Sequence, residues 1–256
     1  DGMPAIDNPS AAVTVPGMDG PELSLEFDAG KLARRLSWVV LSLIAAHLAA
    51  QALVHCCGVG PRSRGVALFD LNQEDNFPSL YSGAALLLAS GLLATAAIAE
   101  RRRGRPSAAW SLLSGVFALL AADEWMSLHE MVGSHMKRVV NASGALHHPW
   151  VIPVGLLAVA MGLLYVPFLL RLPKRTRILF LASGLIYVGG AVGMEMVGGI
   201  IMDRWGGESL AHAVEVVAEE SMEMFGIVLF IYAIVSYIQA EFPDLTLRLG
   251  VSRPRA

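Results

Sequence analysis

Cysteine is almost missing from this chain of 256 residues: there are two, Cys56 and Cys57, and they are neighbours. No Cys-x-x-Cys spacing exists, which excludes a structural zinc site built on thiolates. The pair is expected as two free thiols at the outer end of the first apolar run. Charge is scarce too. Only 16% of residues are Asp, Glu, Lys or Arg, where a soluble domain carries about 25%. There is no glycine-rich phosphate loop and no basic patch interleaved with aromatics, so nucleotide and nucleic-acid roles have nothing to rest on. The histidine clusters of membrane desaturases are absent, as is the histidine pair one turn apart that marks a membrane zinc hydrolase. The most consequential absence is local. Three apolar stretches contain Asp123, Glu124, Glu130, Glu195, Glu215, Glu219, Glu220 and Glu223, and no Lys or Arg stands among these acids.

What the chain does have is apolar length. It is 55% hydrophobic, with a mean hydropathy of +0.56. Runs of spanning length fall at about 36–57, 79–100, 108–132, 151–170, 178–202 and 211–238, which predicts an all-α integral membrane bundle of six transmembrane helices. Residues 1–30, rich in Pro, Gly, Asp and Ala, read as a disordered cytoplasmic tail. Residues 31–240 form the transmembrane domain, and 241–256 a cytoplasmic C-terminal tail. The first run follows Lys31, Arg34 and Arg35 and reads as a retained signal-anchor. The loops alternate in charge. Lys31, Arg34, Arg35, Arg101, Arg102, Arg103, Arg105, Arg171, Lys174, Arg175, Arg177, Arg248, Arg253 and Arg255 share one side. Arg62, Arg64, Lys137, Arg138 and Arg204 share the other. The positive-inside rule then puts both termini in the cytoplasm, of a bacterial inner membrane by the arginine-rich composition.

Depth follows from the helical rise. Asp123 and Glu124 lie roughly 12–14 Å below the outer end of the third span. Glu195 lies roughly 10 Å deep, Glu219 and Glu220 roughly 12–14 Å, and Glu223 near ~18 Å. A shallower tier contains His55, His129, Glu130, His212 and Glu215. The spans thus bring acids to one plane in the periplasmic half, and no acid or histidine is expected in the inner half of any span. On the sixth helix His212, Glu215, Glu219 and Glu223 share a stripe. On a continuous third helix Glu124 and His129 diverge. The fifth span carries a GxxxG, Gly189 and Gly193, which places it in the middle of the bundle, where backbones approach closely.

One charged carboxylate at the bilayer centre costs on the order of 2.5–3.5 kcal/mol. Eight cost roughly 20 kcal/mol before any discount for depth and water, more than a typical domain's whole stability. Protons, water or metal must offset that. Carboxylates and imidazoles on facing helices are the materials of dimetal centres. The expected ligands are therefore Asp123, Glu124, His129, Glu130, Glu195, Glu219 and Glu223, with Glu220 and His212 as catalytic proton carriers. The paired Glu-x-x-His motifs of ferritin-like proteins are missing, so the likeness is one of chemistry alone. Such oxygen-rich sites favour iron, in one or two ions, ahead of manganese, zinc or copper. The expected activity is oxidoreduction of an apolar or lipid-like substrate such as a quinone, entering from the membrane lipids. The alternatives are a proton- or cation-coupled transporter and an accessory subunit of a larger membrane complex. The loop Asp70–Asn76 begins like a calcium loop but lacks its glycine and final acid, so it reads as a solvated loop or a lid over the polar layer.

Overall fold

The computed structural model describes residues 28–60 and 63–243. The expected tails fall outside these residues except for 28–30 and 241–243, and so do Arg62, Arg248, Arg253 and Arg255. Every regular element among the described residues is helical. Helix α1 (Ala29–Cys57) starts where the Asp28 carboxylate accepts the Lys31 N–H at 2.8 Å and stops at Gly58, whose φ of 66° suits a residue without Cβ. A single turn, α2 (Arg64–Ala67), follows. Helix α3 (Phe77–Arg102) opens with a reciprocal cap between Asn76 and Ser79, with Pro78 in its first turn. Then come α4 (Ala108–Met126), α5 (Leu128–Met136), α6 (Val151–Arg171), α7 (Lys174–Val188), a π-helical turn over Gly189–Met194, α8 (Glu195–Trp205) and α9 (Leu210–Glu241).

Five helical segments are long and apolar enough to cross a membrane: α1, α3, α6, the run Lys174–Trp205, and α9. The bent pair α4–α5 makes a sixth if counted as one span. Helix α9 is the central post, packed by α1, α3, α7 and α8. Its lower two-thirds is core: Met224, Ile227, Ile231 and Ile234 are fully enclosed. Phe117 and Phe180 close on Phe230, with ring centroids at 4.5 and 4.7 Å. Helices α3 and α4 meet through small residues, where Ser90 and Ser114 each donate to the other's carbonyl at 2.8 and 2.9 Å. Helix α6 is different. It is apolar on every side, and Leu156, Leu157, Val159, Leu163 and Leu164 are all exposed, the pattern of a helix facing hydrocarbon rather than water.

Three expectations need correction. The third span is not one continuous helix. Ser127 adopts a left-handed conformation (φ 51°, ψ 43°), and the axes of α4 and α5 diverge by 74°. The end of the bundle away from the acid layer is not free of acids, because Glu100, in the last turns of α3, is buried. Close approach along the fifth span is not made by the GxxxG pair. A Cβ on Gly193 would meet nothing, and one on Gly189 would meet only a flexible methionine tip. Gly190, Gly198 and Gly199 are the crowded ones: a Cβ on Gly190 would stand 3.0 Å from the Glu219 carbonyl and one on Gly199 2.6 Å from the Gly144 carbonyl, while on the facing helix α9 one on Gly226 would stand 2.9 Å from the Tyr187 nitrogen.

Candidate functional site

The helix break arranges the first part of the polar layer. At Ser127 the chain turns, and its N–H still reaches the Asp123 carbonyl at 2.7 Å. The Asp123 carboxylate then accepts the His129 N–H at 2.8 Å, satisfying a free donor in the first turn of α5. Its other oxygen meets His129 Nδ1 at 3.1 Å, and His129 Nε2 stands 3.4 Å from Glu74. The imidazole is thus held between two carboxylates, with the Trp150 ring against it at 4.9 Å. On a straight helix Asp123 and His129 would not meet in this way; the bend brings them together.

Glu74 comes from the loop once compared with a calcium site. That comparison fails on geometry. The Asn76 amide donates to the carbonyls of Ala67, Asp70 and Gln73 at 3.4, 2.6 and 2.7 Å. Asn72 and Gln73 donate to the Asp70 carboxylate. The oxygens a cation would need are already engaged. The loop is pinned to α1 by the Leu71 N–H, which donates to the buried His47 Nδ1 at 3.0 Å. It therefore acts as a fixed lid that delivers Glu74. Burial pushes the Glu74 carboxyl above its ordinary value, with His129 pulling the other way.

Behind this clamp lies a deeper group of acids. Glu220 and Glu223 on α9 each have Glu124 on α4 and Glu195 at the start of α8 as electrostatic neighbours. The Tyr187 phenol borders the same group. All are half-buried. The π turn before Glu195 reaches one residue further back per hydrogen bond than an α turn, which rotates α8 relative to α7 and re-aims this carboxylate.

A second, shallower group shares Glu195. His148 Nδ1 lies 3.2 Å from a Glu195 oxygen, to which the Trp150 indole N–H also donates at 3.2 Å. Burial lowers the His148 imidazole from its ordinary value, and the Glu195 carboxylate opposes this. On α9, His212 Nδ1 lies 3.2 Å from a Glu215 oxygen. The Glu215 side chain is 3% exposed and sits beside Glu219. The loop bearing His148 is held down by Asp203, which accepts from the Gly144 N–H and faces His147 Nδ1 at 2.7 Å.

The nine residues singled out from the sequence therefore divide. Asp123 and His129 form the clamp. Glu124, Glu220 and Glu223 form the deeper group, while Glu195, His212 and Glu219 belong to the shallower one. Glu130 is exposed at the start of α5. Among the described residues, no group of three or more His, Cys, Asp or Glu side chains is placed to hold a metal ion. Glu74, His148, Tyr187 and Glu215 were not chosen as site residues. Glu215 was visible on the same stripe as Glu219, and His148 as one of two adjacent outer histidines. Glu74 lay in the loop expected as a solvated loop or a lid over the polar layer, but nothing singled it out within that loop, and Tyr187 carried no signal because helix rotation places it.

No curated protein and no solved structure is significantly similar to this chain. A family model described as a domain of unknown function, DUF8692, matches residues 31–237, nearly all of the helical bundle, and the chain belongs to that family.

Proposed function

We propose that this is a multi-pass protein of a bacterial inner membrane, with both termini in the cytoplasm, and that its acid layer is a metal-dependent oxidoreductase centre in the periplasmic half of the bilayer. One observation carries the reading. Glu124, Glu195, Glu220 and Glu223 come from three separate segments to one interior region with no Lys or Arg among them. Like charges in a low-dielectric interior repel strongly, and a bound cation removes the repulsion while using every oxygen. Side chains on facing helices are how bundles build such centres. Asp123, His129, Glu219 and Glu130 complete the candidate ligand set. Iron is the first candidate metal, with manganese, zinc and copper behind it.

The chemistry this supports is oxidation of an apolar or lipid-like molecule, a quinol being the simplest, that enters from the lipid between α6 and its neighbours. Two electrons and two protons leave the substrate; the electrons pass to an acceptor such as dioxygen, and Glu220 and His212 carry the protons. Metal analysis of protein purified in detergent without chelator tests the reading. Stoichiometric iron or manganese that is lost in Glu124→Gln and Glu223→Gln supports it. Metal-free wild-type protein overturns it.

A second reading, a proton- or cation-coupled transporter, is favoured by one specific feature. Helix α4–α5 is broken inside the apolar region, as in carriers whose sites form at discontinuous helices. Ion flux into liposomes that is abolished by Glu219→Gln would replace the enzymatic reading with this one.

A further inference from the structure

The end of α3 and the turn that follows it hold four arginines, Arg101, Arg102, Arg103 and Arg105, and they are not alike. Arg105 pairs with Glu241 at 3.2 Å and with Glu100 at 3.7 Å. Arg103 lies over the Phe242 ring, 4.2 Å from its centroid. Arg101 is exposed and has no partner among the described residues. It lines a cavity of about 200 Å³ between α3 and α4. Ala94 and Ala97 join it from α3, and Ser107, Ser111 and Ser114 face them from α4. The spacing explains the cavity. Residues three and four apart share one face of a helix, so each wall is a single stripe, and its short side chains leave a gap. The Ser114 hydroxyl is engaged with Ser90. Ser107 precedes the first turn of α4 without capping it, and neither its hydroxyl nor that of Ser111 has a partner among the described residues. No carboxylate lines the cavity. Glu100 and Glu241, the acids at this end, both answer Arg105.

We propose that this cavity is a binding site for the phosphate headgroup of an anionic phospholipid, held by Arg101, Ser107 and Ser111. A guanidinium is always charged, and its paired N–H donors match the oxygens of a phosphate. The two free hydroxyls add donors beside it. Charge closes as well, with one unpaired cation for one phosphodiester anion. The apolar part of the lining selects a lipid over a free anion. Ala94, Ala97 and Ile98 form that part, and Ile98 is 56% exposed. Inorganic phosphate gains nothing from these side chains, whereas a lipid lays the start of its acyl chains along them and takes their surface out of water. The size of the cavity agrees. It is smaller than the about 300–1,000 Å³ of pockets that enclose whole small molecules, so it admits a headgroup and leaves the tails in the bilayer. So does its position. Arg101 lies in the last turn of a helix long and apolar enough to cross a membrane, which is the level of the headgroups. Basic pockets between spanning helices are known holders of anionic headgroups. The inference needs a membrane-embedded bundle, but neither the redox centre nor the assignment of this end to the cytoplasm.

The full chain in detergent is titrated with phosphatidylglycerol and, separately, with phosphatidylcholine, whose ammonium offsets its phosphate. Bound lipid is counted by native mass spectrometry. Phosphatidylglycerol should bind the more tightly. Arg101→Gln should lower its affinity at least about fivefold, the worth of one arginine beside an anionic headgroup. Ala94→Leu, which fills the cavity at unchanged charge, should lower it too. Arg102→Gln, next along the chain but outside the cavity lining, should leave it near the wild-type value, and inorganic phosphate in excess should not displace the lipid. Arg101 is exposed, so its variant reads the site even if Ala94→Leu folds poorly. Equal affinity for the two lipids, or unchanged phosphatidylglycerol binding in Arg101→Gln, overturns the proposal. An equal loss in Arg102→Gln overturns it as well, since that would be a diffuse effect of charge and not a site. Displacement by inorganic phosphate would show that the anion alone fills the cavity and would overturn its assignment to a lipid.

Discussion

Helix α9 carries buried acids against both of its ends, and the two ends handle them differently. Near Tyr237, Glu100 is buried at the close of α3 but is fully answered. The Tyr237 hydroxyl donates to it, and Arg105 stands 3.7 Å away while also reaching Glu241 at 3.2 Å. Hydrogen bonding to Glu241 holds the Arg105 guanidinium firmly protonated. Trp110 stacks on Tyr237 at 4.7 Å and seals the group. At the other end, Glu215, Glu219, Glu220 and Glu223 face other acids and imidazoles, and among the described residues no Lys or Arg is paired with any of them. An acid with a built-in cation and a donor is a structural fastening. Acids gathered without one are where the proposed centre is placed. The presence of burial is the same at both ends; the completeness of the partner set separates them.

That contrast can be broken by mutation. The largest effect is expected from Glu223→Gln, which should lower bound metal at least about tenfold while leaving the metal-free protein as stable as wild type or more so, since one of several mutually repelling acids is gone. Metal content and thermal unfolding in detergent, measured on the same preparation, check both halves. The reverse pattern is expected at the Tyr237 end. Tyr237→Phe strands the Glu100 carboxylate and should cost about 1.5–3 kcal/mol of stability, with metal content unchanged. If Tyr237→Phe lowered metal content as much as Glu223→Gln, the two ends would not be separate in function.

The next effects sharpen the comparison within the polar layer. Gly198→Ala pushes a methyl into the Glu215 carboxylate and should destabilise by about 1–3 kcal/mol, read by thermal unfolding in detergent. Gly193→Ala, five residues earlier, meets open space. It should be neutral or stabilising by up to about 1 kcal/mol, since glycine weakens helices through backbone entropy. Equal losses in the two variants would show that glycine is needed for the π turn itself rather than for room beside Glu215.

Much of the fold was legible in the residues. Helices longer than twenty residues announce themselves by apolar runs, and Asp28, Asn76 and Ser209 supply recognisable caps. The acids of α9 could be assigned to one stripe because that helix is unbroken from Leu210 to Glu241. Where the helix is interrupted the same reasoning failed. Ser127 carries no glycine or proline to mark a break, and its left-handed conformation is supported only by the partners gathered around it. Glu100 was passed over because it sits at the end of a span beside arginines, where an acid looks solvated.

Composition and order by themselves determined that the chain is helical, that five or six segments are apolar enough to span a bilayer, and that a row of carboxylates sits in those segments without a neighbouring cation. These are local properties, set by which side chains follow one another. Which acid meets which imidazole was decided only in three dimensions. Azimuth accumulates along a helix, so one reversed residue at Ser127 and one widened turn at Gly189–Met194 reset the direction of everything beyond them. Loop partners such as Glu74 and His148 have no helical register to predict them at all.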